Sequence, residues 1–414
     1  MSYRSWAVAL LVVVLVAASS GGFVDRAQEP VQFGPVHKIA SGGWGRNRFV
    51  INPDVKVLGN TAYVAYANNY PGGDIIVAKV ENATSPQVQI TPVAVAQTQG
   101  PSIEPSLAAK GNKLCVAWQE GIAGTNWDIW VSCSNDGAQT WSQPVNVSNN
   151  DTASGWITLF TGDDWAGNLW IEMSKDGQNI YVVWSELEDE KMFLSVSNDG
   201  GRSFSAPQEL KSNEILPRFP FLKLLDAEDT PAAFKDKLLL AWADGMNDFG
   251  DIYVSFSADG GKTFSDPVKA TDNPGFSDAV ECAVSGDSLL CVNDDTTTNP
   301  DNADINLTVS TDGKSWSGTR AILKDGAFPT IGSKGRNVYV AAENIADGGT
   351  GVILTYSTDA GKTFAPRLVI PNTTGPFDEP QMAIGDDGTV YIVSVGGVSR
   401  QSTEIQLVTF KVRQ

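Results

Sequence analysis

Five segments of this 414-residue chain repeat one short pattern: SNDGAQTW from Ser134, SNDGGRSF from Ser197, SADGGKTF from Ser257, STDGKSW from Ser310 and STDAGKTF from Ser357. Their acids fall at Asp136, Asp199, Asp259, Asp312 and Asp359, so the pattern returns after 63, 60, 53 and 47 residues, the interval of a repeated supersecondary unit. Physically the pattern is a tight turn. Ser and Asp side chains bond backbone groups two residues on, Gly takes the positive φ, and the closing Trp or Phe re-enters a sheet.

An extended run precedes each turn, such as DIWVSCS from Asp128 or DIYVSFS from Asp251, and a short β-rich run follows it. Two further strands stand upstream, as in PSLAAKGNKLCVAWQE from Pro105, where a Gly-Asn turn parts two apolar runs. Matching second strands begin near Thr61, Asn179, Lys237, Ser288, Asn337 and Thr389, which makes seven four-stranded units, two of them without the turn motif. Radial repetition of such units gives an all-β, seven-bladed β-propeller of antiparallel blades. The seventh unit ends at Gln414 one strand short, and FGPVHKIA from Phe33 matches FAPRLVI from Phe364, so the N-terminal strand is expected to close the last blade.

The domain reading is therefore a leader over 1–22, a linker over 23–32 and one propeller over 33–414. The leader carries Arg4 ahead of an apolar run from Trp6 to Ala18 and then small residues, the pattern of an export signal, either cleaved or retained as an anchor. Export agrees with four cysteines. Cys282 and Cys291 face each other across a Gly286-Asp287 hairpin, and Cys115 and Cys133 fall on neighbouring strands of one blade, so two disulfides are expected. Sequons at Asn82, Asn146, Asn150, Asn306 and Asn372 would permit glycosylation, although Asn306 sits within a predicted strand.

A formal charge of −19 disfavours nucleic acid as a partner. The single histidine, His37, removes histidine metal clusters and a Ser-His-Asp triad, and no phosphate loop or CxxC pair is present, so cofactor chemistry is disfavoured. Carboxylates recur where strand two ends, at Glu120, Glu186, Asp244 and Asp295, with Asn68, Asn344 and Gly396 at the same phase in the other units. Strand three then opens on Asp74, Asp128, Asp251, Asp304 or Glu404. Such acids suit Ca²⁺ or a cationic ligand, or they accept backbone N–H bonds within their own loops. Trp127, Trp156, Trp165 and Trp170 cluster around an insertion, TGDDWAGNLW, where indoles beside carboxylates suit sugar rings; Trp130, Trp118, Trp184 and Trp242 read as core.

The five turns resemble the Asp-box, or BNR, repeats of the sialidase superfamily of propellers, over residues 33–414. The resemblance implies the fold, while the superfamily's activities range from glycosidases to receptors and assembly factors. Active sialidases grip the substrate carboxylate with three arginines, use a Tyr assisted by Glu as nucleophile and carry an Asp acid/base. Their first arginine lies in an Arg-Ile-Pro motif before blade one. Here GRNRFVINPDV places Arg46 or Arg48 near that point without the Ile-Pro continuation. Arg218 in LPRFPF and Arg400 are the partners left, and Tyr70 is the tyrosine in a predicted ligand-face loop.

These residues point to a secreted or cell-surface, monomeric propeller that binds glycan or a surface protein at its acidic, aromatic face, without sialidase catalysis. Its ligand contacts would come from Glu120, Trp127, Asp128, Trp165, Glu186, Asp244, Asp251, Asp295 and Asp304. Two rivals stand beside it: an active sialidase-type exo-glycosidase using Arg46, Arg48, Arg218, Arg400 and Tyr70, and an architectural component of a cell envelope.

Overall fold

The computed structural model describes residues 31–413 apart from short segments at 44–48, 71–72, 97–99, 123–125, 150–168, 187–189, 213–215, 247–248, 298–301, 374–378 and 400–401. The leader, most of the linker, Arg46, Arg48, Trp156, Trp165 and Arg400 lie outside the described residues, as does the side chain of Tyr70.

The described strands form seven four-stranded antiparallel sheets. Blade 1 spans Phe49–Ala96, blade 2 Ser102–Asn146, blade 3 Leu169–Leu210, blade 4 Arg218–Lys269, blade 5 Ser277–Leu323 and blade 6 Gly326–Val369. Blade 7 takes three strands from Gln381–Val412 and its outermost strand, Val31–Gly43, from the other end of the chain. The register of that closure runs Phe33 opposite Phe410, His37 opposite Leu407 and Ser41 opposite Glu404. His37 is buried and its Nε2 bonds the carbonyl of Ala83 at 2.8 Å, which ties the closing strand to blade 1.

Blade sheets are buried on both faces, and this explains strands with no polar alternation, such as IYVVWSE at Ile180–Glu186. The core is accordingly split into seven apolar layers, one between each pair of neighbouring blades. Ala65 and Val77 of blade 1 meet Leu114 and Trp118 of blade 2, and Ile39 and Ile405 of blade 7 meet Val64 and Ile76 of blade 1. Both disulfides are formed as cross-strand pairs, Cys115–Cys133 within blade 2 and Cys282–Cys291 within blade 5.

The five turns hold one network, in blades 2 to 6. Ser134 Oγ donates to Asp136 Oδ1 and accepts from the Ala138 N–H, while Asp136 accepts from the backbone N–H and hydroxyl of Thr140. The same bonds recur around Asp199, Asp259 and Asp359, and a shorter version around Asp312. These donors hold the Asp136, Asp259 and Asp312 carboxyls down to about 2 and those of Asp199 and Asp359 lower still.

Candidate functional site

The innermost strands line the central channel, and six of them enter it through the same irregularity. Asn52, Glu104, Phe219, Ala279, Phe328 and Glu379 have positive φ, between 21° and 49°. In five of the six a proline follows, at Pro53, Pro105, Pro220, Pro329 and Pro380, with Val280 in its place in blade 5. Pairing with strand two breaks there in blades 1, 2, 4, 5 and 6, a β-bulge that re-aims the residues beside it. A non-glycine residue held left-handed costs roughly 1–3 kcal/mol, and such strain gathers at functional sites.

These bulges ring the channel mouth, a cavity of about 120 Å³ to which all seven blades contribute. Its walls are partly aromatic. Phe219 of blade 4 and Phe328 of blade 6 meet edge to face with centroids 6.4 Å apart, across the small Ala279 of blade 5, and Trp170 lies 4.8 Å from Phe221. Four carboxylates stand among them. Glu104 Oε2 accepts from Gln119, Glu379 Oε2 from Asn52, and Asp54 from Lys56 Nζ at 2.8 Å. Glu281 Oε2 accepts from the Thr330 hydroxyl at 3.0 Å and the Ile331 N–H at 3.1 Å.

Several of these bonds solve a problem set by the fold. The channel side of each innermost strand is a sheet edge, so its N–H groups lack a ladder partner. Asp54 takes up the Leu107 N–H, Ser106 the Ile171 N–H and Glu281 the Ile331 N–H, each side chain serving the next blade.

Burial pushes the Glu281 carboxyl up to about 7, against the opposing pull of those two hydrogen bonds and of Lys56 and Lys223. Asp294, which accepts the Phe328 N–H at the bulge, is also pushed up to about 7, by burial first and then by the charge of Asp278. Asp278 is raised by burial, and Arg218 offsets this. Arg218 Nε lies 3.1 Å from both carboxylate oxygens of Asp278, and Nη1 donates to the carbonyls of Leu216 and Gly245. The guanidinium stacks 4.6 Å from the Phe276 ring centroid and is buried.

The strand-two acids occupy equivalent positions in the ring, as the register shows. All four are buried and bonded. The indole N–H of Trp118 donates to Glu120, that of Trp184 to Glu186 and that of Trp242 to Asp244, at 3.0–3.1 Å. Asp295 accepts from Ser277, Asn273 and the Thr297 N–H. Asp128 accepts from Asn146 and Ser148, Asp251 from Thr271 and Lys269, and Asp304 from the Asp325 N–H, so each opening acid of strand three fastens its outgoing loop. Trp127 is half-buried and lies opposite Gly121, where an added Cβ would come within 3.0 Å of the indole.

The residues brought together at the mouth are therefore largely different from those read off the loop ends. Of the candidate clamp residues only Arg218 is described, and it adjoins this ring. Among the described residues no group of three or more acidic, histidine or cysteine side chains is arranged to hold a metal ion. A signal for the mouth was present in the sequence, in the five Xaa-Pro dipeptides NP, EP, FP, FP and EP at one phase of the repeat.

The architecture is a seven-bladed β-propeller of four-stranded antiparallel blades. No protein-family model matches the sequence, and the curated proteins give no match either. Solved structures do match in fold. A protein of unknown function from Dyadobacter fermentans has 14% identity and a TM-score of 0.53, covering 91% of this chain and 99% of its own. The leech intramolecular trans-sialidase complexed with 2,7-anhydro-Neu5Ac has 11% identity and a TM-score of 0.51, covering 92% and 94%. An ulvan lyase bound to -[GlcA(1-4)Rha3S]- has 12% identity and a TM-score of 0.55, covering 89% and 94%. At these identities the likeness is one of fold.

Proposed function

We propose that the chain is an exported glycan-binding propeller, acting as a single ring, whose ligand enters the channel mouth and is not processed by sialidase chemistry. The observation that carries this reading is the ring of bulges, which sets aromatic faces and hydrogen-bonding carboxyls around one cavity. Sugar rings need that pairing, with C–H faces on aromatic rings and hydroxyls on polar acceptors. The trans-sialidase and lyase neighbours, both bound to saccharides, support a glycan on this scaffold. Two disulfides agree with export. Against an acidic-sugar clamp stands Arg218, whose charge is matched by Asp278.

A glycan array followed by calorimetry tests the reading, together with a panel of fluorogenic glycosides. Saturable binding without turnover is expected. Trp170→Ala and Phe328→Ala should each weaken it about tenfold, equal to about 1.4 kcal/mol. Turnover of a sialoside, or binding untouched by both variants, would overturn it.

A further inference from the structure

The lining of the mouth is acidic. Asp54, Glu104, Glu281 and Glu379 belong to it, and among the described lining residues there is no lysine or arginine, although Lys56, bonded to Asp54, and Lys223 act on Glu281 from outside the lining. The nearest guanidinium, Arg218, is turned onto Asp278 and buried with its Nη2. A cavity that combines carboxylates with aromatic faces favours a positive charge twice over, through the carboxylates and through the negative faces of the rings. The protein's excess of acids adds a long-range attraction of the same sign.

The molecule already contains one example of such a pairing. Lys56 places its ammonium 5.6 Å from the Trp170 ring centroid while donating to Asp54 at 2.8 Å, so carboxylate and ring hold a cation between blades 1 and 3. Across the channel, blades 4 to 6 offer the same ingredients in Phe221, Glu281 and Phe328. The bonds to Glu281 from Thr330 and Ile331 both end on Oε2.

We infer that the mouth recognises an organic cation: the sugar unit that enters it carries an ammonium group, which Glu281 and the facing phenyl rings of blades 4 and 6 receive. This rests on the glycan reading and narrows it to amino sugars with a free amine.

The test compares three trimers by calorimetry at low salt and at one pH near 7, where Glu281 can give up its proton to meet an ammonium: β-1,4-linked glucosamine, its N-acetylated counterpart and galacturonate. The cationic trimer should bind at least tenfold tighter than the neutral one, lose affinity with added salt, and outrank the anionic one. Glu281→Gln, which keeps an acceptor for Thr330 and Ile331, should abolish that preference while the fold, checked by circular dichroism, stays intact. Equal binding of cationic and neutral trimers, or a preference unchanged in Glu281→Gln, overturns the cation assignment and leaves glycan binding standing. If no trimer binds, the glycan reading fails. Titration with tetramethylammonium, read by tryptophan fluorescence, then decides the cation on its own: a saturable change lost in Glu281→Gln supports it, and no change overturns it.

Discussion

At the scale of single residues, the chain uses its carboxylates in two opposite electrostatic regimes, and pH separates them. The acids of the five repeated turns are exposed and ringed by donors, so their folded pKa values lie below the unfolded one; their contribution is present above about 4 and is lost as pH falls. Glu281 and Asp294 are buried and raised to about 7, so the folded state keeps protons that the unfolded chain releases. Their contribution is complete below the ordinary carboxylate range and is lost as pH rises through about 7. Ionising Glu281 in place, from an ordinary 4.5 to about 7, costs up to about 3 kcal/mol. The melting temperature should therefore fall between pH 5 and pH 8, and Glu281→Gln, which has no proton to lose, should flatten that decline. A melting curve that is level across this range in the parent protein would refute the assignment.

Among elements, the second strand of each blade carries the most information and also the acids whose role the sequence leaves open. Trp118, Trp184 and Trp242 sit two residues before Glu120, Glu186 and Asp244, on the same face of the strand, so each indole N–H reaches its acid. Buried at one spot, donor and acceptor satisfy each other. Glu186→Ala should strand the Trp184 N–H and cost about 1–3 kcal/mol, measurable by denaturant unfolding, while glycan affinity stays unchanged. A loss of affinity at full stability would return Glu186 to the ligand site. The repeat turns, the strand count, the closing strand and both cysteine pairings were legible because each follows from the recurring turn motif and the spacing of short apolar runs between turns. The mouth was not, because a loop-end acid looks the same in sequence whether it faces a ligand or an indole. Which it does depends on side-chain packing between strands, and Trp-Xaa-Acid in three blades was the available sign of it. The bulges were similarly hidden, since positive φ at Phe219 or Phe328 is set by the ring and its Xaa-Pro step rather than by any preference of phenylalanine.

For the whole molecule, the decisive feature is that the ring is closed by the two ends of the chain. Val31–Gly43 supplies the outer strand of blade 7, pairs along the length of Ser402–Val412, and sends Ile39 into the apolar layer between blades 7 and 1. Without it, the 402–412 strand would present an unpaired edge, a template for another chain, and the Ala83 carbonyl would lose its bond to His37. Every other blade is continuous in sequence, so this seam alone converts a row of blades into a ring whose seven innermost strands can meet at one mouth. Deleting residues 31–43 should therefore leave the blade sheets formed but the seam open. The expected result is a β-rich circular dichroism spectrum with association on size-exclusion chromatography and loss of glycan binding, although every lining residue of the mouth is retained. Adding the missing strand back as a synthetic peptide should return the elution to the parent's position in proportion to peptide bound, because a partner that binds only the closed ring stabilises it. A deletion variant that elutes and binds as the parent does would show that blade packing, rather than the seam, holds the mouth together.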